Sequence, residues 1–176
     1  LCEERGWLLG VGSQRRDLFE GELASAIDAW GAFSKKHSCL QWIGNIGASQ
    51  ILDVSHEDLG RFVEDSGMTA LAIHLNPLQE VIQPEGTPQF KGVMNRIHEV
   101  IDLLKVPVVL KETGSGISSK TAQKIKGLSL GAVDVSGLGG AHWGRIEGSR
   151  AMNDPIRSPA AVTFKDWGES TLTSVI

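Results

Sequence analysis

Cysteine is scarce. The chain holds two, Cys2 and Cys39, which make no disulfide framework and have no metal-ligand spacing, so a reducing cytoplasm is the expected setting. Long apolar runs are missing as well. None approaches the roughly 18 residues that a membrane span needs, and no secretory signal opens the chain, so no membrane partner is expected. Positive charge is not in surplus either. The formal net charge of −4 argues against a broad nucleic-acid-binding face, while leaving room for a small basic pocket. There is no low-complexity segment, and 41% hydrophobic with 22% charged residues is the composition of an ordered globular domain. Natural-looking ends are also lacking: Leu1 stands within what reads as a helix end and Ile176 soon follows another helix start, so both read as cut.

What is there is an alternation of strand and helix. Short, continuous apolar runs at residues 7–11, 40–43, 70–75, 106–110 and 132–135 read as strands buried on both faces of a parallel sheet. Between them lie helical patterns. The clearest has Phe90, Val93, Met94, Ile97, Val100, Ile101 and Leu104 on one face, with Lys91, Asn95, Arg96, Glu99 and Asp102 turned away. Ser55 followed by Asp58 predicts a capped start for a helix through Leu59, Phe62 and Val63, with Gly67 as its stop. Ser118 or Ser119 caps another. Residues 150–163, with Pro155 and Pro159, read as a loop. Strands alternating with helices define an α/β fold built of βαβ units.

In such folds ligands sit at the carboxyl ends of the strands, and the polar segments of this chain fall there. Ile73-His74-Leu75-Asn76-Pro77-Leu78-Gln79-Glu80 switches abruptly from apolar residues to groups that bind or transfer protons. His74 and Asn76, two apart on a strand, point to one face; Pro77 ends regular pairing, leaving Gln79 and Glu80 on a loop over the mouth. A single carboxylate such as Glu80 suits Mg²⁺ when substrate phosphates supply the other ligands. Lys111 ends an apolar strand and can hold a delocalised negative charge or a phosphate, or simply pair with Glu112 or Asp134. Gly12-Ser13-Gln14-Arg15 offers a hydroxyl, a guanidinium and turn amides to a phosphate or diphosphate. Gly137, Gly139 and Gly140 allow close backbone approach to a phosphate. Trp143 and Glu147, four apart, share a helical face as an aromatic wall beside an acid. Each motif also has an ordinary structural explanation; their common position at strand ends points to an enzyme.

Together these strings resemble the type 2 isopentenyl-diphosphate isomerases. The resemblance rests on residues 73–80 with Pro84-Glu85-Gly86, on Val109-Leu110-Lys111-Glu112-Thr113-Gly114-Ser115-Gly116-Ile117-Ser118, and on Val133-Asp134-Val135-Ser136-Gly137-Leu138-Gly139-Gly140. Gly12-Ser13-Gln14-Arg15, Asn45-Ile46-Gly47 and Phe164-Lys165-Asp166-Trp167-Gly168 also fit, in order along the chain. The resemblance implies a TIM (β/α)8 barrel, of which residues 1–176 form a single partial domain covering roughly the middle five β/α units. It implies interconversion of isopentenyl and dimethylallyl diphosphate, with reduced FMN and Mg²⁺, NADPH serving to reduce the flavin, and a homo-oligomer as the assembly.

Carried over by position, Ser13 would contact FMN and, with Gln14 and Arg15, the diphosphate. Asn45, Lys111, Gly139, Gly140 and Ala141 fall at flavin-contacting positions. His74, Asn76, Gln79 and Trp143 would line the substrate pocket, with Gln79, His74 and Glu147 as catalytic groups and Glu80 on Mg²⁺. Two residues depart from the pattern: Ala141 replaces a threonine that usually contacts FMN, and His142 stands where a smaller polar residue is usual and could itself reach the ligand. An N-terminal Arg-Lys segment, a Thr-Gly-Gly flavin loop and a late glycine-rich phosphate loop are missing, so activity of these 176 residues in isolation is doubtful. The alternatives are a catalytically silent half-barrel serving as a binding or assembly module, and another FMN-dependent barrel such as a 2-hydroxy-acid oxidase.

Overall fold

A computed structural model describes residues 1–176. In chain order the elements are α1 (Cys2–Arg5), β1 (Leu9–Gly10), α2 (Arg15–Phe19), α3 (Leu23–Lys36), β2 (Trp42–Gly47), a 3₁₀ turn (Gln50–Leu52), α4 (His56–Ser66), β3 (Ala70–Leu75), α5 (Pro77–Ile82) and α6 (Val93–Leu103). There follow β4 (Val108–Glu112), α7 (Ser119–Ile125), β5 (Ala132–Asp134), α8 (Trp143–Arg150), α9 (Arg157–Thr163) and α10 (Thr171–Val175). The strands are parallel and form one sheet in the order β1-β2-β3-β4-β5, an α/β arrangement in which sequence neighbours are spatial neighbours. Leu9 pairs with Trp42 and Gly10 with Ile43. No helix is long and apolar enough to cross a membrane.

The chain divides into two compact units, Leu1–Ile73 with Gly92–Val109 and Leu130–Ala132, and His74–Lys91 with Leu110–Ser129 and Val133–Ile176. The first is built on apolar packing. Trp42, Leu59, Phe62, Leu71, Ile97 and Val100 are each at most 1% exposed, and Trp30 stacks on Trp42 with centroids 4.9 Å apart. Helix α4 begins and ends as its sequence predicts: Ser55 Oγ accepts the Asp58 amide at 3.0 Å, and Gly67 closes it at φ 73°. The α6 stripe also forms over Val93–Leu103, with Phe90 and Lys91 ahead of the helix, and Arg96 departs from its expected exposure. Arg96 is only 8% exposed, because its guanidinium donates to the carbonyls of Ile51 and Val54 at 2.9 and 2.6 Å. A guanidinium with that many partners is buried at little cost.

Three further expectations shift. The first strand shrinks to Leu9–Gly10, since Trp7 and Leu8 are 56% and 58% exposed. The second runs later, so Asn45-Ile46-Gly47 is strand rather than loop: Val11 N donates to Ile43 O and Gln14 N to Asn45 O, which extends the pairing. β5, last in the sheet and flanked on one side only, is exposed throughout rather than buried on both faces.

In the second unit Ile82, Leu110, Ile117, Ile125 and Ala161 are buried. The segment expected as a loop at 150–163 contains α9. Asp154 Oδ1 accepts the amides of Ile156 and Arg157 at 2.9 and 2.8 Å, starting the helix, and Pro159 falls in its first turn, where a missing N–H costs nothing. Leu138 then bridges in parallel to Ser170. Replacing the α4 cap, Ser55→Ala, is expected to lower stability by about 1 kcal/mol, read as a reduced urea midpoint; an unchanged midpoint would show that the cap carries no weight.

Candidate active site

The first unit holds Ser13, Gln14, Arg15 and Asn45. Gln14 stands immediately before α2, and two hydrogen bonds lock it to the end of β2: Gln14 N donates to Asn45 O at 2.8 Å, and Asn45 N donates to Gln14 Oε1 at 3.0 Å. Asn45 Nδ2 donates to Val11 O at 3.2 Å. Gly44 permits this closeness, since a Cβ there would stand 2.9 Å from Gln14 Oε1. Gln14 is 3% exposed and its Nε2 has no partner, so a buried donor is left over beside the predicted diphosphate segment. Ser13 is exposed, and Arg15, the first residue of α2, is half-buried.

The second unit holds the rest. His74, in the last two residues of β3, is 7% exposed. Burial and, secondarily, the Lys111 ammonium hold its imidazole down at about 4, so it is neutral at pH 7. Lys111, next to last in β4, is half-buried and donates from Nζ to Glu112 O at 2.7 Å, which leaves two of its N–H groups for other partners. Glu112 is 4% exposed; Oε2 accepts the amides of Thr113 and Ser115 at 2.8 and 2.7 Å. Burial pushes this carboxyl up to about 7 against the pull of those amides and of Lys111.

Gln79 and Glu80 lie on α5 rather than on a loop, because Pro77 does end strand pairing but occupies the first helical position, where its fixed φ favours a helix. Asn76, the residue before α5, is 3% exposed and ties both together: its Nδ2 donates to Glu80 Oε1 at 2.9 Å and to Gln79 Oε1 at 3.2 Å. Glu80, also 3% exposed, accepts the Thr87 amide on Oε2 at 2.7 Å. From α8, 68 positions along the chain, Glu147 brings Oε1 to 3.5 Å from Gln79 Nε2. Asn76 Oδ1 is buried and accepts no hydrogen bond. The helix expected to align Trp143 and Glu147 is present, yet the two differ sharply: Glu147 is 2% exposed and Trp143 44%.

Gly139, at φ 127°, and Gly140 have nothing within 4 Å of where a Cβ would stand, so open space faces both. Ala141 lies against Gly114, whose φ of 119° leaves no room for a side chain. His142 is occupied within the protein. Its Nδ1 accepts the Arg145 amide at 3.2 Å as the cap of α8, and Nε2–H donates to Trp167 O at 3.3 Å, so neither nitrogen is left for a ligand. Two side chains carry more than the sequence indicates. Glu112, legible there only as a partner for Lys111, is a buried carboxyl. Arg150 donates to Glu147 Oε2 at 2.7 Å and to Glu85 Oε1 at 3.0 Å; the three-residue step from Glu147 to Arg150 is the signal that could have found one of these contacts. No group of three or more His, Cys, Asp or Glu side chains is assembled to hold a metal.

These features define the class: a parallel α/β protein with buried carboxylate, amide and imidazole groups gathered at the carboxyl ends of its strands. Comparison with known proteins makes it more particular. The chain is 41% identical over 174 residues to the isopentenyl-diphosphate delta-isomerase of Legionella pneumophila (strain Corby), covering 99% of this chain and 50% of that protein. It is 40% identical over 176 residues to the isopentenyl-diphosphate delta-isomerase of Bdellovibrio bacteriovorus, covering 100% and 50%. The chain thus spans about half the length of the curated relatives it matches. No protein-family model matches it. Among solved structures, the YdjI aldolase of Escherichia coli K12 aligns over 95% of this chain and 61% of its own, with a TM-score of 0.46 and 14% identity.

The two shifted groups act on stability in opposite directions. His74 has its pKa lowered from 6.5 to about 4, so its contribution is present above 6.5 and is lost as pH falls through 4. Glu112 has its pKa raised from 4.5 to about 7, so its contribution is present below 4.5 and is lost as pH rises through 7. Between pH 4.5 and 6.5 each changes stability by about 2 kcal/mol and they offset. Glu112→Gln keeps a carbonyl acceptor for the two amides and removes one side of this balance. Urea titrations of the variant are expected to show stability falling on acidification by about 2 kcal/mol more than in the parent; equal pH slopes would contradict the assignment.

Proposed function

We propose that this protein is an FMN- and Mg²⁺-dependent isopentenyl-diphosphate isomerase, interconverting isopentenyl and dimethylallyl diphosphate in the cytoplasm. Residues 1–176 would be part of a TIM (β/α)8 barrel. The observation that carries the proposal is the meeting of Gln79 with Glu147 beside the Asn76–Glu80 pair, in a chain about 40% identical to proteins of that name. The silent-module alternative gives no use to Asn76 Oδ1, a buried acceptor without a donor, which is costly to leave unpaired.

The residues fit the groups they are proposed to hold. Glu80 is one carboxylate with no second acid in a metal cluster, the donor set Mg²⁺ takes when phosphate oxygens complete its shell. Asn76 Oδ1, buried and without a donor, is a further hard oxygen at that cluster. Gln14 Nε2, buried without an acceptor, suits a phosphate oxygen, with Ser13 and Arg15 adjacent in sequence. Lys111 retains N–H groups for an anionic ring, and Gly139 and Gly140 present backbone to open space. Reduced FMN, regenerated by NADPH, would supply the proton-handling ring for a double-bond shift with no net redox change. Asn45 and Lys111 would each offer it a hydrogen bond, while His74, neutral at pH 7, would offer a hydrogen bond rather than a charge. Glu147, hydrogen-bonded to the Gln79 amide, would be the carboxylate that takes or gives a proton at the substrate, and Trp143 would line the pocket for its carbons.

The test is conversion of isopentenyl diphosphate by the protein with reduced FMN and Mg²⁺, followed by NMR. Turnover is expected, with Glu147→Gln and Gln79→Leu each lowering kcat by about 100-fold or more. A protein that binds flavin yet gives no product would contradict the proposal.

A further inference from the structure

The hydrogen bonds of the second unit form a closed ring. Arg150 Nη1 donates to Glu147 Oε2 at 2.7 Å, and Glu147 Oε1 meets Gln79 Nε2 at 3.5 Å. Gln79 Oε1 and Glu80 Oε1 share the Nδ2 of Asn76, at 3.2 and 2.9 Å. Glu80 Oε2 accepts the Thr87 amide at 2.7 Å, and Glu85, two residues earlier, accepts Arg150 Nη2 at 3.0 Å. The segment that closes the ring is held tightly: Gly86 packs on the Glu80 carbonyl so closely that a Cβ there would run into it, and its amide donates to Gln83 O at 3.1 Å.

The ring has two kinds of member. Glu147 and Glu80 are 2% and 3% exposed, while the Arg150–Glu85 pair is open to solvent, with side chains 52% and 50% exposed. A half-exposed ion pair contributes little to folding. Its geometry is nevertheless specific, since one guanidinium grips two carboxylates through separate nitrogens, and a lysine has no equivalent planar fork.

We propose that Arg150 and Glu85 are positioning residues for this site. Arg150 fixes the rotamer of Glu147 and, through Glu85, holds the 83–87 segment so that Thr87 keeps Glu80 aimed. The proton-carrying carboxylate and the metal-anchoring carboxylate are thereby set by one guanidinium. What the ring serves rests on the isomerase proposal above; that the ring exists does not.

The full protein is tested as Glu85→Gln, Arg150→Gln and the double variant, with Glu80→Gln as reference. Binding of Mn²⁺ in the presence of inorganic pyrophosphate is read by electron paramagnetic resonance, alongside kcat and the urea midpoint. Each single variant is expected to weaken Mn²⁺ binding and lower kcat by about 10- to 100-fold, and the double variant by no more than either single one; Glu85→Gln keeps the parent's urea midpoint, whereas both variants lacking Arg150 lower it, because the buried Glu147 carboxylate loses a charged donor. Binding lost in Glu80→Gln but unchanged in the Arg150 and Glu85 variants would overturn the positioning role and leave the isomerase proposal standing. Binding unchanged in Glu80→Gln would remove the metal assignment and this role with it. A urea midpoint of Glu85→Gln that falls in step with its loss of binding would make the pair structural and overturn the proposal.

Discussion

The burial of the Glu80 carboxylate is the constraint on which the rest of the second unit depends. A carboxylate 3% exposed to solvent loses its hydration, and the loss is tolerable only where hydrogen-bond donors converge on it. Two do so here, the amide of Asn76 and the backbone N–H of Thr87. Reaching both requires a particular chain path. The strand must stop at Leu75, a helix must begin at once with Pro77, and the chain beyond α5 must fold back over the carbonyl of Glu80, where only glycine fits. Glu147 sits in the same environment and is answered by Arg150 and Gln79.

The end of β4 repeats the solution with a different outcome. Glu112 is held by the amides of its own turn, and desolvation keeps its carboxyl titrating near neutrality. That turn in turn fixes its neighbours: Ser115 O accepts the Glu169 amide at 2.8 Å, and Gly116 N donates to Ser136 O at 3.3 Å. Ser136 is the one non-glycine residue at positive φ, 33°. Strain of this kind persists where surrounding bonds over-determine the backbone, and it lies just before the open glycines 139 and 140. His74 shows the converse, an imidazole kept neutral because a charge cannot be hydrated there and a lysine stands near.

Local signals in the sequence carry through to the structure. β3 spans the predicted 70–75, and the Ser55, Asp58 and Gly67 signals bound α4 because capping is decided by the residues themselves. Non-local geometry was not legible. The end of β2 lies later than the sequence indicates, because Asn45 looks like a loop residue until Gln14 supplies its pairing partner. Arg96 reads as solvent-facing, because nothing near it in sequence shows that the carbonyls of Ile51 and Val54 await it. Within the candidate site, the residue types of His74, Asn76, Gln79, Glu80 and Glu147 stand out in the sequence, but their order of contact does not. The bonds that close it join residues 65 and 68 positions apart, distances over which sequence spacing says nothing.

Glu80 anchors the 83–87 segment, and native-state hydrogen exchange at the Thr87 amide tests this directly. A protected amide is expected in the parent protein, with protection lost by about an order of magnitude or more in Glu80→Ala, while the Asn45 amide, bonded to Gln14, exchanges at its original rate. A Thr87 amide that exchanges equally fast in both proteins would contradict it.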